Sequence, residues 1–374
     1  MEFWQSSVNR DTRTNAVSAF APGRIEVLGN HTDYNDGLVL SAAIDRGLTV
    51  TGSQRDDDLI RLSSDLLGKV ELTLHDRASQ SGPTWATYVL GVARELMELG
   101  VSIGGFEMKI AATLPPRSGL ASSAALEVAT ALFLLKLQQQ TLQPMEIANL
   151  CRRAEQRSAG VQSGLLDQVT SLCGLANHLV YFDSRAESIQ LIPFPSDLAF
   201  IVAQSGKQRE LWRGDYNLRR EQTAVAAHAL GVRALREVSS RALKKRTDLD
   251  PLLSRRACHI VGENERVDQA VQALKTNDAN KLGQLMNQSH ESSRHNFENT
   301  TPELDLVVDL ARTLPGVLGA RLTGAGFGGA ALALCRRSQA QEAVRQLRDA
   351  YHKKIGINAE MFICSIGDGA RPIR

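Results

Sequence analysis

LPPRSGLASSAALEVATALFLL, residues 114–135, joins a loop of small residues to a strongly apolar run. FEMKIAA (106–112), just upstream, alternates like a strand. Between them, Ser118-Gly119-Leu120-Ala121-Ser122-Ser123-Ala124-Ala125 offers little side-chain bulk. Backbone N–H groups there can close on an anion, and the N-terminus of the next helix adds positive dipole at the same point. Ser122 or Ser123 can cap that helix, bind a phosphate oxygen or ligate Mg²⁺. A plain loop with a serine cap is the bland alternative. Strand, phosphate-type loop and helix in that order point to layered α/β (α+β) structure.

Outward from this segment, GLTVTGS (47–53), KVELTL (69–74), HLVYFD (178–183) and LAFIVAQS (198–205) read as strands. Residues 84–99 set Trp85, Tyr88, Val89, Val92, Leu96 and Leu99 on one helical stripe. Residues 120–137 and 145–158 read as helices, and Thr301-Pro302-Glu303 opens another over 302–313. A proline-interrupted link, LIPFPSD (191–197), suggests a boundary near 190, giving domains 1–190 and 191–374. Residues 232–256 carry eight Lys or Arg, Arg236 and Arg256 among them, against three acids, and read as a solvated helical insertion. They lack the interleaved aromatics of a nucleic-acid surface.

The whole chain has 374 residues, 43 Lys+Arg against 41 Asp+Glu, and a net charge of +2. That balance argues against an electrostatically driven nucleic-acid or membrane binder. Five scattered cysteines form no C-x-x-C pair, which argues against a zinc site or disulfide scaffold. With neither a secretory signal nor an apolar run long enough for a membrane span, the expectation is a cytoplasmic protein, a monomer or weak oligomer.

A second glycine loop lies in GARLTGAGFGGAALALC (319–335). Gly324, Gly326 and Gly329 satisfy G-x-G-x-x-G, with Gly328 beside them. Because AALALC reads as a strand rather than a helix, the pattern does not imply a dinucleotide fold. The loop is expected to be a glycine turn brought close to another loop or a ligand. No Walker, HRD or DFG motif occurs. Nearer the N-terminus, APGRIEVLGNHTDYNDGLVL (21–40) gathers Arg24, Asn30, His31, Asp33 and Tyr34. Such neighbouring donors and acceptors suit the hydroxyls of a sugar, while Asn35-Asp36-Gly37 is turn chemistry.

Together, GRIEVLGNHTDYNDG, LPPRSGLASSAALEVA and LTGAGFGG resemble, in order, the three motifs of the GHMP small-molecule kinases, and within them the galactokinases. AEQRSAGVQSGLLDQ (154–168), DYNLRREQ (215–222), GENERVDQA (262–270), PELDLVVDLA (302–311) and FICSIGDGA (362–370) extend the likeness over nearly the whole chain. The resemblance implies two α/β domains with the active site in the cleft between them, and MgATP-dependent phosphorylation of a sugar's anomeric hydroxyl. Small-molecule sugar and ATP are the implied partners. Asp167 would be the catalytic carboxylate and Arg24 its partner at the transferring phosphoryl, since a guanidinium keeps a neighbouring carboxylate ionised for proton acceptance. Ser123 and Glu155 would hold Mg²⁺, and 117–124, from Arg117 and Ser118 onward, would cradle the ATP phosphates. Asn30, His31, Asp33, Gly164 and Tyr216 would meet the sugar.

Some positions depart from the family. Galactokinases usually carry Glu where this chain has Asn30, at a position that meets the C6 hydroxyl. Asn removes a charge that would repel a C6 carboxylate by about 4 kcal/mol at 4 Å and a dielectric of 20, so galacturonate is an alternative substrate. Arg294-His295-Asn296-Phe297 replaces an acid-rich stretch and points the same way. Arg117 stands for a common glycine and Ala121 for a serine. A non-catalytic sugar sensor is a third reading, disfavoured because the magnesium ligands are present.

Overall fold

The computed structural model describes residues 16–74, 84–115, 119–206 and 212–373. Elements of the first half are β1 (Val17–Leu28), β2 (Leu38–Gln54), β3 (Leu59–Ser64), β4 (Gly68–Thr73), α1 (Thr84–Glu98), β5 (Phe106–Ala112), α2 (Ser122–Leu137), α3 (Pro144–Ala159), α4 (Leu166–Cys173), β6 (His178–Asp183) and β7 (Ser188–Pro193). The second half holds β8 (Leu198–Gln204), α5 (Trp212–Ala229), α6 (Ser240–Leu243), α7 (Pro251–Lys275), α8 (Ala279–Ser292), α9 (Pro302–Arg312), β9 (Val317–Thr323), β10 (Ala330–Arg336), α10 (Arg337–Ile355), β11 (Met361–Cys364) and β12 (Arg371–Ile373).

Among the described residues the strands form two sheets. One runs β12-β1-β2-β5-β3-β4, with β6 and β7 branching from β2; the other runs β11-β8-β10-β9. Among the described strands only the β3–β5 pairing is parallel. The mixed α/β architecture expected from the sequence is what forms. The chain leaves the first sheet after β7, builds the second, and returns to the edge of β1 as β12. Helix α2 is apolar on all sides, which suits a helix buried between a sheet and other helices. It lies against β1 and β2, with α1 and α3 beyond it. Val89, Val92 and Leu96 of α1 are buried in the same core.

Four local expectations are corrected. Leu99 is exposed rather than part of the stripe, because α1 ends at Glu98 and Gly100 turns the chain at φ 84°. The proline-interrupted link begins as strand: its first three residues, 191–193, end a strand over 188–193 that pairs with β6, where Pro193 sits on the outer strand that lacks a further partner among the described residues. The basic stretch is not wholly solvated. Arg236 pairs with Asp183, and Arg256 is buried between Gln222 and Glu298. Helix α2 has no serine cap, since its cap position is Ala121, in the left-handed region at φ 59°.

Candidate active site

Both halves of the chain line a cleft of about 1270 Å³. Arg24, Glu26, His31, Asp33, Ser122, Ser123, Glu155, Gly164, Asp167, Tyr216 and Ala325 all reach it. At its centre, Arg24 of β1 meets Asp167 in the first turn of α4: Nε donates to Oδ1 at 2.8 Å and Nη2 approaches the same oxygen at 2.7 Å. Arg24 Nη1 donates to the Gly119 carbonyl at 2.7 Å, and its backbone N–H to the Leu120 carbonyl at 3.0 Å. The strand, the serine loop and α4 are thus tied at one guanidinium. Gly119, Ala121, Ser122 and Ser123 line the cleft, whereas the Leu120 and Ala124 side chains are buried in the core. Arg117 and Ser118 lie outside the described residues.

Ser123 donates to Glu155 Oε1 at 3.3 Å, while Ser163 donates to Oε2 at 2.5 Å and Gln168 at 3.3 Å. Burial pushes the Glu155 carboxyl up, the Asp167 charge adds to this, and these three hydrogen bonds oppose it. Gln168 also donates to Glu127 Oε2 at 3.2 Å. Glu127 is fully buried in α2, and that burial raises its carboxyl well above the usual range, with the Glu155 charge adding to it. No motif marks Glu127; the signal that could have found it is an acid inside an otherwise apolar helix.

On the other side of Arg24 lies the polar cluster. Asp33 accepts from Tyr34 N at 3.0 Å and Leu166 N at 3.3 Å. Burial, then the charge of Asp167, pushes its carboxyl up to about 6. Gly164 has to be glycine, because a Cβ there would fall 2.0 Å from Asp33 Oδ2. His31 Nε2 lies 2.9 Å from the Ala325 carbonyl, which can only accept, so Nε2 donates there, and Nδ1 shares a hydrogen bond with the Tyr34 hydroxyl at 2.7 Å. Tyr216 closes this end, its ring 5.1 Å from that of His31.

Asn30 is fully buried and its side chain is engaged three ways. Nδ2 donates to Glu26 Oε1 at 2.9 Å and to the Gly324 carbonyl at 2.8 Å, and Oδ1 accepts from Asn299 at 2.8 Å. The second glycine loop therefore comes close to the 29–31 loop. Gly326 lies against Asn299, and Gly329 turns its carbonyl to Ser205. Gly328 shares the positive φ of that turn, at 114°. The 29–31 loop is also clamped from α7. Gly29 N and Asn30 N both donate to Glu263 Oε2 at 2.9 Å, and His259 Nε2 donates to the Asn30 carbonyl at 3.2 Å. Burial, the largest single influence, opposes ionisation of Glu263, but Arg266, His259, Arg321 and the Asn30 N–H hydrogen bond together outweigh it and hold the carboxyl well below the usual range. Glu26, Glu263 and Asn299 have no assigned role in the sequence. The Arg294–Phe297 stretch does not bring its charges to the cleft: Arg294 pairs with Asp305 and Asp309, and only Phe297 touches the site, 4.6 Å ring to ring from His31.

Residues 7–54 match the galactokinase galactose-binding signature, 87–175 the GHMP kinases N terminal domain, and 270–353 the GHMP kinases C terminal domain. The galactokinase of Haemophilus influenzae (strain ATCC 51907 / DSM 11121 / KW20 / Rd) is 40% identical, the match covering 96% of this chain and 95% of that one. The chain belongs to the galactokinase family. The crystal structure of Lactococcus lactis galactokinase complexed with galactose superposes with a TM-score of 0.92 at 33% identity, covering 98% of this chain and 97% of that one. The Methanococcus jannaschii mevalonate kinase, 18% identical with a TM-score of 0.66 over 96% of this chain and 100% of its own, shares the fold. Within this galactokinase-family cleft, Leu48, Leu66, Leu67, Trp85, Ile110 and Leu126 make an apolar end beside the serine loop. Trp85 Nε1 is buried there without a hydrogen-bond partner among the described residues. No described helix is long and apolar enough to cross a membrane.

Proposed function

We propose that this protein transfers the γ-phosphoryl group of MgATP to the anomeric hydroxyl of galactose, giving galactose 1-phosphate and ADP. The observation that carries the reading is the Arg24–Asp167 pair, which stands between the polar cluster on one side and the start of α2 on the other. Asp167 takes the proton of the anomeric hydroxyl as that oxygen bonds the γ-phosphorus and the bond to the β-phosphate oxygen breaks, releasing ADP. Arg24 orients Asp167 and neutralises charge on the transferring group. His31, Asp33, Gly164, Tyr216 and the Asn30 loop shape the sugar's side. Gly119 to Ser123 and the free N–H groups opening α2 hold phosphate. The apolar end takes the purine, with Trp85 Nε1 as a donor toward it.

Ser123 and Glu155, a hydroxyl and a carboxylate 3.3 Å apart, fit a hard cation that keeps most of its ligands as water and phosphate oxygen. Bound there with ATP, Mg²⁺ would neutralise the phosphate charge. We further propose two domains divided after Pro193, at the end of β7 and a few residues past the boundary near 190 that the sequence suggests, with β12 handed back to the first. ATP as donor and five free thiols favour the cytoplasm, and a monomer or weak oligomer is the assembly proposed.

The test is coupled ADP release with galactose and MgATP, repeated on Asp167→Asn. The expected result is turnover by the native protein and a loss of about a thousandfold in the variant, with calorimetric galactose binding retained. Undiminished turnover would remove Asp167 from the mechanism.

A further inference from the structure

We propose that Glu26 is the residue that reads the edge of the sugar remote from C1, accepting a hydroxyl there and excluding a C6 carboxylate. This rests on the reading of Asp167 as the C1 end. Arg24 and Glu26 are two residues apart on β1, where pairing with β2 runs in regular register from Arg24 opposite Ala43 to Glu26 opposite Ser41. They therefore point to the same face, about 7 Å apart, roughly one hexose ring. With the anomeric hydroxyl at the Arg24–Asp167 pair, the far edge of the ring falls at Glu26.

Glu26 lines the cleft although only 2% of it is exposed. Its Oε1 accepts from Asn30 Nδ2 at 2.9 Å and from Arg321 Nη2 at 3.1 Å, while Oε2 takes no hydrogen bond from any described residue. Its backbone is pinned by the second sheet: Glu26 N donates to Thr323 Oγ1 at 2.8 Å, and Arg321 Nη1 donates to the Glu26 carbonyl at 3.1 Å. Asn30 is poorly placed for the same task, because both amide hydrogens and one lone-pair direction are already committed. Burial raises the Glu26 carboxyl, opposed by Arg321, Arg24 and the Asn30 hydrogen bond. Arg321, fully buried and always cationic, needs the counter-charge, so the pair is an ion pair. The negative charge that position 30 lacks is supplied from position 26. A free carboxylate oxygen suits a sugar hydroxyl and repels a uronate.

Steady-state kinetics on galactose and galacturonate test this with native protein, Glu26→Gln and Glu26→Asp. Native protein is expected to favour galactose over galacturonate in kcat/KM by at least about a hundredfold. Glu26→Gln should raise KM for galactose about tenfold, a larger change than in kcat, and cut that preference at least about tenfold. Glu26→Asp keeps the charge but withdraws it, so KM for galactose rises while the preference stays within about threefold of native. A folded Glu26→Gln with native KM and native preference overturns the proposal. Should Glu26→Gln give no cooperative melt, Glu26→Asp decides, and a native galactose KM there overturns it equally. Native protein inactive on galactose would defeat the proposed function and this inference with it, a failure seen before any variant is made.

Discussion

The loop at 119–123 and the loop at 324–329 are both built mainly of small residues, yet they present opposite polarity to the cleft. In the first, the carbonyls of Gly119 and Leu120 turn back to Arg24, and the opening N–H groups of α2 are left without intrahelical partners. In the second, the carbonyls of Gly324 and Ala325 point forward and accept from Asn30, His31 and Asn299. The first loop can hold an anion directly. The second holds the protein side chains that line the proposed sugar side of the cleft. The next element along the chain sets this difference, a helix after the first loop and a strand after the second. Glycine content alone does not say whether a loop will donate or accept.

The largest expected effect tests the second loop. Gly326 has φ 81°, and a Cβ there would lie 2.1 Å from the Asn299 carbonyl oxygen. Gly326→Ala should displace Asn299, loosen Asn30 and His31, and raise KM for galactose by about tenfold or more, with KM for ATP changing far less. Equal rises in both would break the division of labour between the loops. A middle-sized effect comes from Asp33, with its carboxyl raised to about 6. A raised carboxyl favours the protonated form in the folded state. Its contribution is therefore full below the unfolded value near 4 and is lost as pH rises toward 6. Asp33→Asn should thus gain melting temperature over native more at pH 8 than at pH 4. Protonation of Asp33 should also raise KM for galactose in native protein below pH 6, a limb the variant loses. A melting difference independent of pH would remove Asp33 from this account. The smallest effect is expected at the first loop. Ala121 at φ 59° is strained in the left-handed region, so Ala121→Gly should stabilise by about 1 kcal/mol, a rise of about 1–2 °C by calorimetry. A fall in melting temperature would mean that the strain is absorbed elsewhere.

Much of this frame is legible in the sequence. The alternation in 106–112 and the apolar run from 122 reveal strand, loop and helix because each pattern is local. Motifs point to Arg24, Asp167, Ser123 and Glu155, and the structure brings them into one cleft. Glu26 reads as part of an apolar strand, since nothing local tells that its face opens on the cleft. Glu263 reaches Asn30 across 233 residues of sequence, a proximity no spacing rule encodes. The substitution at position 30 invites a conclusion about missing charge, which only the neighbouring side chain can correct.

The three residues of β12 give the first sheet a feature that no cut near residue 190 would preserve. They pair with Ser18 to Phe20, a few positions upstream of Arg24 on the same strand. During synthesis that border of β1 stays bare until residues 371–373 have emerged from the ribosome. The strand carrying Arg24 is thus closed late, and a nascent chain is exposed to mispairing there until those residues emerge.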